Sequence, residues 1–226
     1  MFKIETHLHT CYASTCSQLN AEQIVDGYLA AGYHAVVITD HFHRNTKWFC
    51  YSDPPSLSVF LQGYHAVQQA AGNRGLKVFR GAEIRFDGDP NDYLVYGYPD
   101  RLLAEPEEVF AMGLEKFSQA AKQAGALLLQ AHPCRHSPYE VCVPANAALL
   151  DGIEIFNGNP AVDNRNNEAK IFAQSHPELI TVSGSDCHKA DQIGKSGILA
   201  QWLPETDEQF VQLLRSGAFL SSETER

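Results

Sequence analysis

Short apolar runs alternate with amphipathic stretches along the whole 226-residue chain, and this alternation constrains the fold more than any other feature. The apolar runs have the length of strands, and the stretches between them repeat apolar residues at helical spacing. The runs lie at 2–6, 34–39, 76–84, 93–96, 126–130, 152–156 and 179–183. Alternation of strands and helices predicts a mostly parallel sheet with helical crossovers.

Helical patterns separate these strands. Asn20 is placed to cap a helix whose apolar face carries Ile24, Val25 and Tyr28. Further helical patterns lie at 57–67, 106–117, 145–150, 164–174 and 210–214. Since the sequence shows no Rossmann glycine fingerprint, no repeat and no break in composition, we expect an α/β fold with one domain, residues 1–226. The expected architecture is a single distorted (β/α)₇ barrel.

Charge and composition narrow the classes of function. The chain has 27 Asp and Glu against 17 Lys and Arg, a formal net charge of -10. This charge repels phosphate polymers and anionic lipids, which argues against stable nucleic-acid binding. The apolar runs are too short to span a bilayer, and no secretory pattern follows Met1, so we expect a cytoplasmic protein without a membrane partner. The six cysteines are then expected to be thiols or metal ligands rather than disulfides.

Histidines and carboxylates are concentrated at the ends of the predicted strands, where a parallel barrel builds its active site. The residues concerned are His7, His9, Asp40, His41, Glu83, His132, Asp186 and His188. Because a strand alternates its faces, His7 and His9 project the same way. Imidazole and carboxylate ligands together suit Zn, Mn or Fe. One such histidine alone is more often a hydrogen-bonded structural residue, but their joint occurrence predicts a metal site.

These residues lie in segments that resemble the PHP (polymerase and histidinol phosphatase) superfamily of metal-dependent phosphoesterases. In the family's order, the segments are Thr6-His-Leu-His9, Ile38-Thr-Asp-His41, Gly81-Ala-Glu83, Gln130-Ala-His-Pro133, Gly152-Ile-Glu154 and Ser183-Gly-Ser-Asp-Cys-His188. Each motif is short, but the ordered set spans nearly the whole chain and is specific. The resemblance implies a distorted (β/α)₇ barrel with up to three metals in a cleft at the carboxyl ends of the strands.

The resemblance also implies three sets of ligands. The first metal would be held by His7, His9, Glu83 and Asp186. The second would be held by Glu83, as a bridge, and by His132. The third would be held by His41, His188 and one residue of the loop after His9.

The sequence departs from the family's pattern at two places. Cys16 is the closest match to the loop ligand of the third metal. A thiolate is a good zinc ligand, but cysteine is also a common packing residue. Many members of the family also place a histidine on or after the strand that follows the glutamate. The segment 91–98 has none, so Asn91, Asp92 or water would complete the second site.

The residues that would act on a substrate follow from the charge of a phosphate. Metals at such a site make hydroxide available near neutral pH for in-line attack on phosphorus, so no protein nucleophile is needed. Arg135 follows a predicted metal-binding histidine closely, and we expect it to act in catalysis with Asp186 and to bind the phosphoryl group. Arg44 and Arg165, on other predicted rim loops, are further candidates for substrate binding or simply surface residues. Asn157 is placed to bond a substrate hydroxyl.

The expected function is that of a hydrolase, a metal-dependent phosphoesterase and more closely a phosphatase. Its substrate would be the phosphate ester of a small metabolite or nucleotide, and its cofactors two to three divalent ions of Zn, Mn or Fe. One alternative is a phosphodiesterase or nuclease acting on short oligonucleotides. Another is an amidohydrolase-like enzyme that cleaves C–N or C–O bonds, since similar rims serve that chemistry. A non-catalytic module is a third, against which the intact ligand set argues.

Overall fold

A computed structural model describes residues 1–50, 52, 55–138 and 140–223 of the chain. The strands are β1 (Phe2–Leu8), β2 (Ala35–Ile38), β3 (His41–Phe42), β4 (Lys77–Ile84), β5 (Tyr93–Tyr96), β6 (Leu127–Gln130), β7 (Gly152–Asn157), β8 (Ile180–Gly184), β9 (Ser196–Ala200) and β10 (Phe219–Glu223). The helices are α1 (Ala21–Ala30), α2 (Lys47–Cys50), α3 (Leu57–Phe60), α4 (Gln62–Ala71), α5 (Pro106–Ala124), α6 (Asn166–Gln174) and α7 (Asp207–Ser216).

Seven of these strands form a nearly closed barrel. Strands β1, β2 and β4 are parallel neighbours, as are β6, β7 and β8, and β5 joins the two groups by running antiparallel to both β4 and β6. The ring closes where Leu8 forms a parallel bridge to Cys187, just after β8. Strand β3 pairs with the end of β4, while β9 and β10 extend the sheet antiparallel beside β1. The predicted distorted (β/α)₇ barrel is confirmed, and β5 is its main distortion.

Helix α1 shows how the sequence builds the outer layer. The predicted cap is present: Gln23 N donates to Asn20 Oδ1, and Asn20 N donates to Gln23 Oε1, each at 3.0 Å. Such a reciprocal pair satisfies two amides that would otherwise lack partners at the helix start. The buried face carries Ile24 and Tyr28 and packs in an apolar cluster with Leu8. The helix therefore braces the strand that ends in the first histidines.

One predicted helix is not formed. The segment 145–150 contains only a 3₁₀ turn, Ala147–Leu149. Pro144 lies just before the segment and β7 begins at Gly152, so too few residues remain for the several turns that make an α-helix stable.

The helix predicted over 57–67 is divided into α3 and α4. Gly63 lies in α4, and a Cβ built on it would be 2.3 Å from side-chain oxygens of both Asp40 and Thr10. Only a glycine allows the helix to pack this closely against the Asp40 side chain. Asp40 in turn accepts hydrogen bonds from Thr10 N at 2.6 Å and Ser14 Oγ at 2.7 Å, so it fixes the loop after β1.

The lower part of the barrel is apolar. Ile4, Leu94, Leu129 and Val182 come from four different strands, are fully buried and belong to one cluster. Burial of such side chains stabilises a fold by about 1.5–3 kcal/mol each, so the barrel core does not depend on the polar residues above it. Among the described residues, no helix has both the length and the apolar character needed to cross a membrane.

Candidate metal centre

The ends of β1, β4 and β8 bring four polar side chains together. His7 lies on β1 and His9 just after it, Glu83 lies on β4, and Asp186 follows β8. His7 Nε2 is 3.2 Å from Glu83 Oε1 and 3.6 Å from Asp186 Oδ1. His9 Nε2 is 3.4 Å from Glu83 Oε2 and 3.1 Å from Asp186 Oδ1. Each imidazole thus faces both carboxylates, and all four residues are at most 1% exposed.

Several atoms of this cluster are buried without hydrogen bonds. Among the residues that the structure describes, His7 Nε2, His9 Nε2, His41 Nδ1 and Glu83 Oε2 have no hydrogen-bond partner. A buried polar atom without a partner costs about 1–3 kcal/mol, and a bound cation would remove that cost for all four. Nitrogen and carboxylate oxygen donors are ligands of Zn, Mn and Fe. The donor set therefore fits a divalent cation.

His132, which follows β6, extends the cluster on the far side of Glu83. Its Nε2 is 3.0 Å from Glu83 Oε1, the oxygen that also faces His7, so Glu83 has the geometry to bridge two cations. The backbones of His132 and Asp186 lie in the left-handed region, with φ of 28° and 49°, which residues other than glycine rarely adopt. Such strain persists where the surrounding structure holds a functional side chain in place.

The segment 91–98, which lacks a histidine, places a carboxylate near His132. Asn91 Oδ1 accepts a hydrogen bond from Val143 N at 3.1 Å and so is already engaged. Asp92 Oδ2 lies 3.9 Å from His132 Nε2. Arg85 donates two hydrogen bonds to the same carboxylate. Asp92 is therefore the better placed of the two to complete a second site, but it shares its charge with Arg85.

His41 and His188 form a third group with His9, in which the ligand nitrogens lie within 4.8 Å of one another. The thiol of Cys16 lies close enough to His188 and His41 for their imidazoles to influence its pKa. Burial raises the pKa of this thiol, but the two imidazoles outweigh burial and lower the pKa to about 6. The group of ligand atoms within 4.8 Å does not include Cys16, so its role as a ligand stays a prediction. Cys187 instead packs in the apolar cluster behind β1.

The cluster also shifts the pKa values of its own members. Burial lowers the pKa of His7, but the carboxylates of Glu154 and Glu83 raise it well above its ordinary value. Burial raises the pKa of Glu83, but the imidazoles of His7 and His41 bring it well below its ordinary value. Burial and neighbouring imidazoles lower the pKa of His9 strongly. An ionised Glu83 and a neutral His9 are the forms that bind cations.

Glu154, on β7, holds two candidate ligands from behind. Its Oε1 is 3.1 Å from His7 Nδ1, and its Oε2 accepts a hydrogen bond from His132 N at 2.9 Å. The contact with Nδ1 fixes the ring so that Nε2 points into the cluster. Asn157 donates to the same Oε2 at 2.8 Å, so its amide supports Glu154, and its contact with a substrate hydroxyl stays a prediction. Sequence reasoning gave Glu154 no role, although a carboxylate inside a predicted buried strand is a signal.

Arg135 lies beside the candidate ligands, in the wall of a cleft. Its side chain is 9% exposed. It donates to Asp186 Oδ2 through Nη2, and to Asn164 Oδ1 through Nε at 2.9 Å. Burial lowers the pKa of this guanidinium, but Asp186 outweighs burial and raises it. Arg135 therefore contacts Asp186, a candidate metal ligand, directly.

Arg44 and Arg165 make ion pairs on the surface. Arg44 donates to Asp87 and Glu107. Arg165 Nε lies 3.5 Å from Asp163 Oδ2. Arg135 is therefore the predicted arginine that the structure places beside the ligand cluster, whereas the carboxylates around Arg44 already engage its guanidinium.

Of the predicted metal ligands, His41, Asp186 and His188 line a cleft of about 260 Å³. Its wall includes Arg85, Arg135 and Glu140. A larger cavity of about 1060 Å³ adjoins it, since Asn159 and Val162 line both. Asn157 and Arg165, two of the residues expected to bind substrate, line the larger cavity. Arg85 was not predicted from the sequence, although it directly follows β4 and lies two residues after Glu83.

The comparison with known families agrees with this geometry. The PHP domain family matches residues 5–194. The chain therefore belongs to the PHP domain family, and the resemblance seen in its motifs is confirmed. No curated protein matches the sequence significantly.

Solved structures share the fold at low sequence identity. A two-domain protein from Bacteroides vulgatus containing a predicted PHP-like metal-dependent phosphoesterase aligns with a TM-score of 0.71 and 16% identity, covering 98% of this chain and 64% of that one. PsfC from Pseudomonas syringae gives 0.68 and 17%, covering 99% and 91%. The lesion-specific endonuclease PfuEndoQ from Pyrococcus furiosus gives 0.61 and 13%, covering 97% and 57%. This chain thus spans less than two thirds of the first and third of these proteins.

Proposed function

We propose that the protein hydrolyses the phosphate ester of a small metabolite or nucleotide, using two to three divalent ions of zinc, manganese or iron. One observation carries the proposal: in the described part of the chain, buried ligand atoms of His7, His9, His41 and Glu83 lack hydrogen bonds, and Asp186, which faces His7 and His9, also accepts a hydrogen bond from the Arg135 guanidinium. A cation site and an anion-binding group in one cleft are what a phosphate ester requires. Membership of the PHP domain family supports the same reaction class.

The resemblance to the PHP family supports an assignment of residues to each cation. His7, His9, Glu83 and Asp186 would hold the first, Glu83 and His132 the second, and His41, His188 and Cys16 the third. Cations there would supply Lewis-acid chemistry, lowering the pKa of water and neutralising phosphoryl oxygens.

The protein's own contribution is to hold the ligands and the phosphoryl group in position. Glu154 keeps Nε2 of His7 directed at the cations, and the carboxylate of Asp186 has a different partner for each oxygen. Its Oδ1 faces the imidazoles, and its Oδ2 accepts from Arg135. Arg135 would donate to a non-bridging phosphoryl oxygen from a site that excludes most water, where charge-assisted hydrogen bonds are strong.

The larger cavity would take the alcohol portion of the substrate. The smaller cleft, about 260 Å³, suits cations and a phosphoryl group, so the rest of a metabolite must extend beyond it. Asn159 and Val162 border both spaces and would lie beside the scissile ester. Arg165 would reach polar groups of the leaving alcohol.

A substrate panel tests this proposal. Protein loaded with Zn²⁺ or Mn²⁺ would be assayed on phosphomonoesters, phosphodiesters, and amides or lactams. We expect hydrolysis of phosphomonoesters that chelation abolishes and added metal restores. Turnover of amides without turnover of any phosphate ester would instead identify an amidohydrolase-like enzyme.

A phosphodiesterase acting on short oligonucleotides is the second candidate. It is favoured by the larger cavity of about 1060 Å³, which offers room for more than one nucleotide. In the same panel, a marked preference for dinucleotides over monoesters would identify this function.

A further inference from the structure

Glu140 lies between two guanidinium groups in the wall of the metal cleft. Its Oε1 accepts a hydrogen bond from Arg85 Nη2, and its Oε2 is 3.7 Å from Arg135 Nη1. The side chains of Glu140 and Arg135 are 11% and 9% exposed, and that of Arg85 is 32% exposed. All three line the cleft that contains Asp186 and His188. A carboxylate thus stands between two cationic groups close to the predicted metals.

Each arginine has a second, deeper anchor that does not involve Glu140. Arg85 donates to both oxygens of Asp92, whose side chain is 3% exposed, and Arg135 donates to Asp186, whose side chain is 2% exposed. Both guanidinium groups would therefore keep their positions if the Glu140 carboxylate moved away. The two anchors also leave Arg135 Nη1 directed at Glu140 rather than at a buried partner.

A metal ion does not explain Glu140 well. With His132 and Cys142 it forms a group whose ligand atoms lie within 4.8 Å of one another. Two guanidinium groups next to the same carboxylate, however, repel a further cation. Arg85 donates to one oxygen of Glu140 and Arg135 faces the other, so two donor groups face one pair of oxygens. Burial and the neighbouring Asp92 carboxylate raise the pKa of Glu140 to about 7.

We propose that Arg85 and Arg135 form a two-guanidinium clamp for the phosphoryl group, and that the Glu140 carboxylate is a resident anion which the phosphoryl group displaces. The proposal rests on the proposed function and adds to it a second substrate-binding residue, Arg85. A tetrahedral oxyanion carries more charge than a carboxylate and offers more acceptor oxygens to the two forks. The clamp would therefore select phosphate esters over neutral amides, and competition from Glu140 would weaken retention of the phosphate product.

The test is calorimetric titration of inorganic phosphate into the Zn²⁺-loaded protein. Glu140→Gln keeps the size of the side chain and removes its charge, so we expect phosphate to bind about tenfold more tightly. Arg85→Met should weaken phosphate binding about tenfold or more, with unchanged metal content. Glu107→Gln is the matched control, because Glu107 pairs with the surface residue Arg44, and its phosphate affinity should equal that of the wild type.

Glu140→Ala serves as a second variant if the glutamine variant does not fold, with the same expected direction. If the wild type binds phosphate but both Glu140 variants bind it no more tightly, Glu140 is a structural ion-pair partner; the clamp proposal is then wrong and the proposed function stands. If neither the wild type nor the variants bind phosphate and the panel shows no hydrolysis of phosphate esters, the proposed function and the clamp both fail.

Discussion

The two sides of the cleft bury charge in different ways. On the side that includes His7 and Glu83, ligand atoms are buried without hydrogen bonds among the described residues. On the opposite side, Arg85 pairs with Asp92 and with Glu140. Unpaired buried polar atoms are costly, whereas buried ion pairs come closer to break-even. The histidine side therefore has ligand atoms free for bound cations, whereas the guanidinium groups of the arginine side already have carboxylate partners.

Removing two imidazoles from the histidine side should have the largest effect on metal content and activity. In the variant with His7→Ala and His9→Ala, we expect loss of the first-site ion and at least about a thousandfold lower kcat/KM, because the Lewis-acid contribution is several kcal/mol. The fold should remain, since the barrel core is apolar. Elemental analysis, kinetics and circular dichroism would check this, with His65→Ala on the exposed face of α4 as the control. Full metal content in the double variant would contradict the assignment.

Substitutions on the arginine side should lower activity on the substrate and leave metal content unchanged. Arg135→Ala should cost on the order of 3 kcal/mol, or about a hundredfold in kcat/KM, because a charge-assisted contact in the transition state is lost. Arg135→Lys should recover little, since an ammonium cannot reproduce the fork. Metal content should stay constant in both. Arg74→Ala, at a surface ion pair, is the control. Equal losses on phosphate esters and on uncharged amides would mean that Arg135 only holds its loop.

Glu154 lies behind the candidate ligands and contacts the ring of His7. Glu154→Gln should weaken metal binding or activity by about 10–100-fold, because the side chain that orients the His7 ring through its Nδ1 atom loses its negative charge. Metal titration of the chelated protein would measure this, with exposed Glu168→Gln as the control. A variant that keeps wild-type metal affinity would show that the barrel alone orients His7.

Substitution of Cys16 should have the smallest effect on metal content, and that effect should be confined to the third group of ligands. Cys16→Ser should lower zinc stoichiometry, and mild oxidation should inactivate the wild type reversibly, with reductant restoring activity. The exposed Cys50 provides the matched variant, Cys50→Ser, which should keep its metal. If Cys16→Ala retains full metal content and rate, the cysteine has only a packing role.

Local patterns in the sequence predict the histidine side and much of the barrel. His7 and His9 could be placed together because a strand alternates its faces, and each lies at the end of a predicted strand. The strand predicted at 93–96 has the bounds of β5 but not the expected direction. Strand direction is decided by partners that are distant in sequence, not by the local pattern. Strands β9 and β10 were missed for a similar reason, because they form only by pairing beside β1.

The arginine side could not be predicted because its contacts are distant in sequence. Glu140 and Arg85 form a hydrogen bond although they are 55 positions apart in the sequence, and no local motif predicts such a pair. Arg135 was found only because it follows His132 closely. For Asn157, the strand-end position predicts contact with substrate, and the structure adds a contact that no local pattern indicates, the hydrogen bond from its side chain to Glu154.

Metal content measured together with activity tests the central claim most directly. Protein purified without chelator should contain at least two divalent ions per chain by elemental analysis and should hydrolyse phosphate esters. Chelation should remove the ions and the activity together, and Zn²⁺, Mn²⁺ or Fe²⁺ should restore both. Active protein without bound metal would contradict the account.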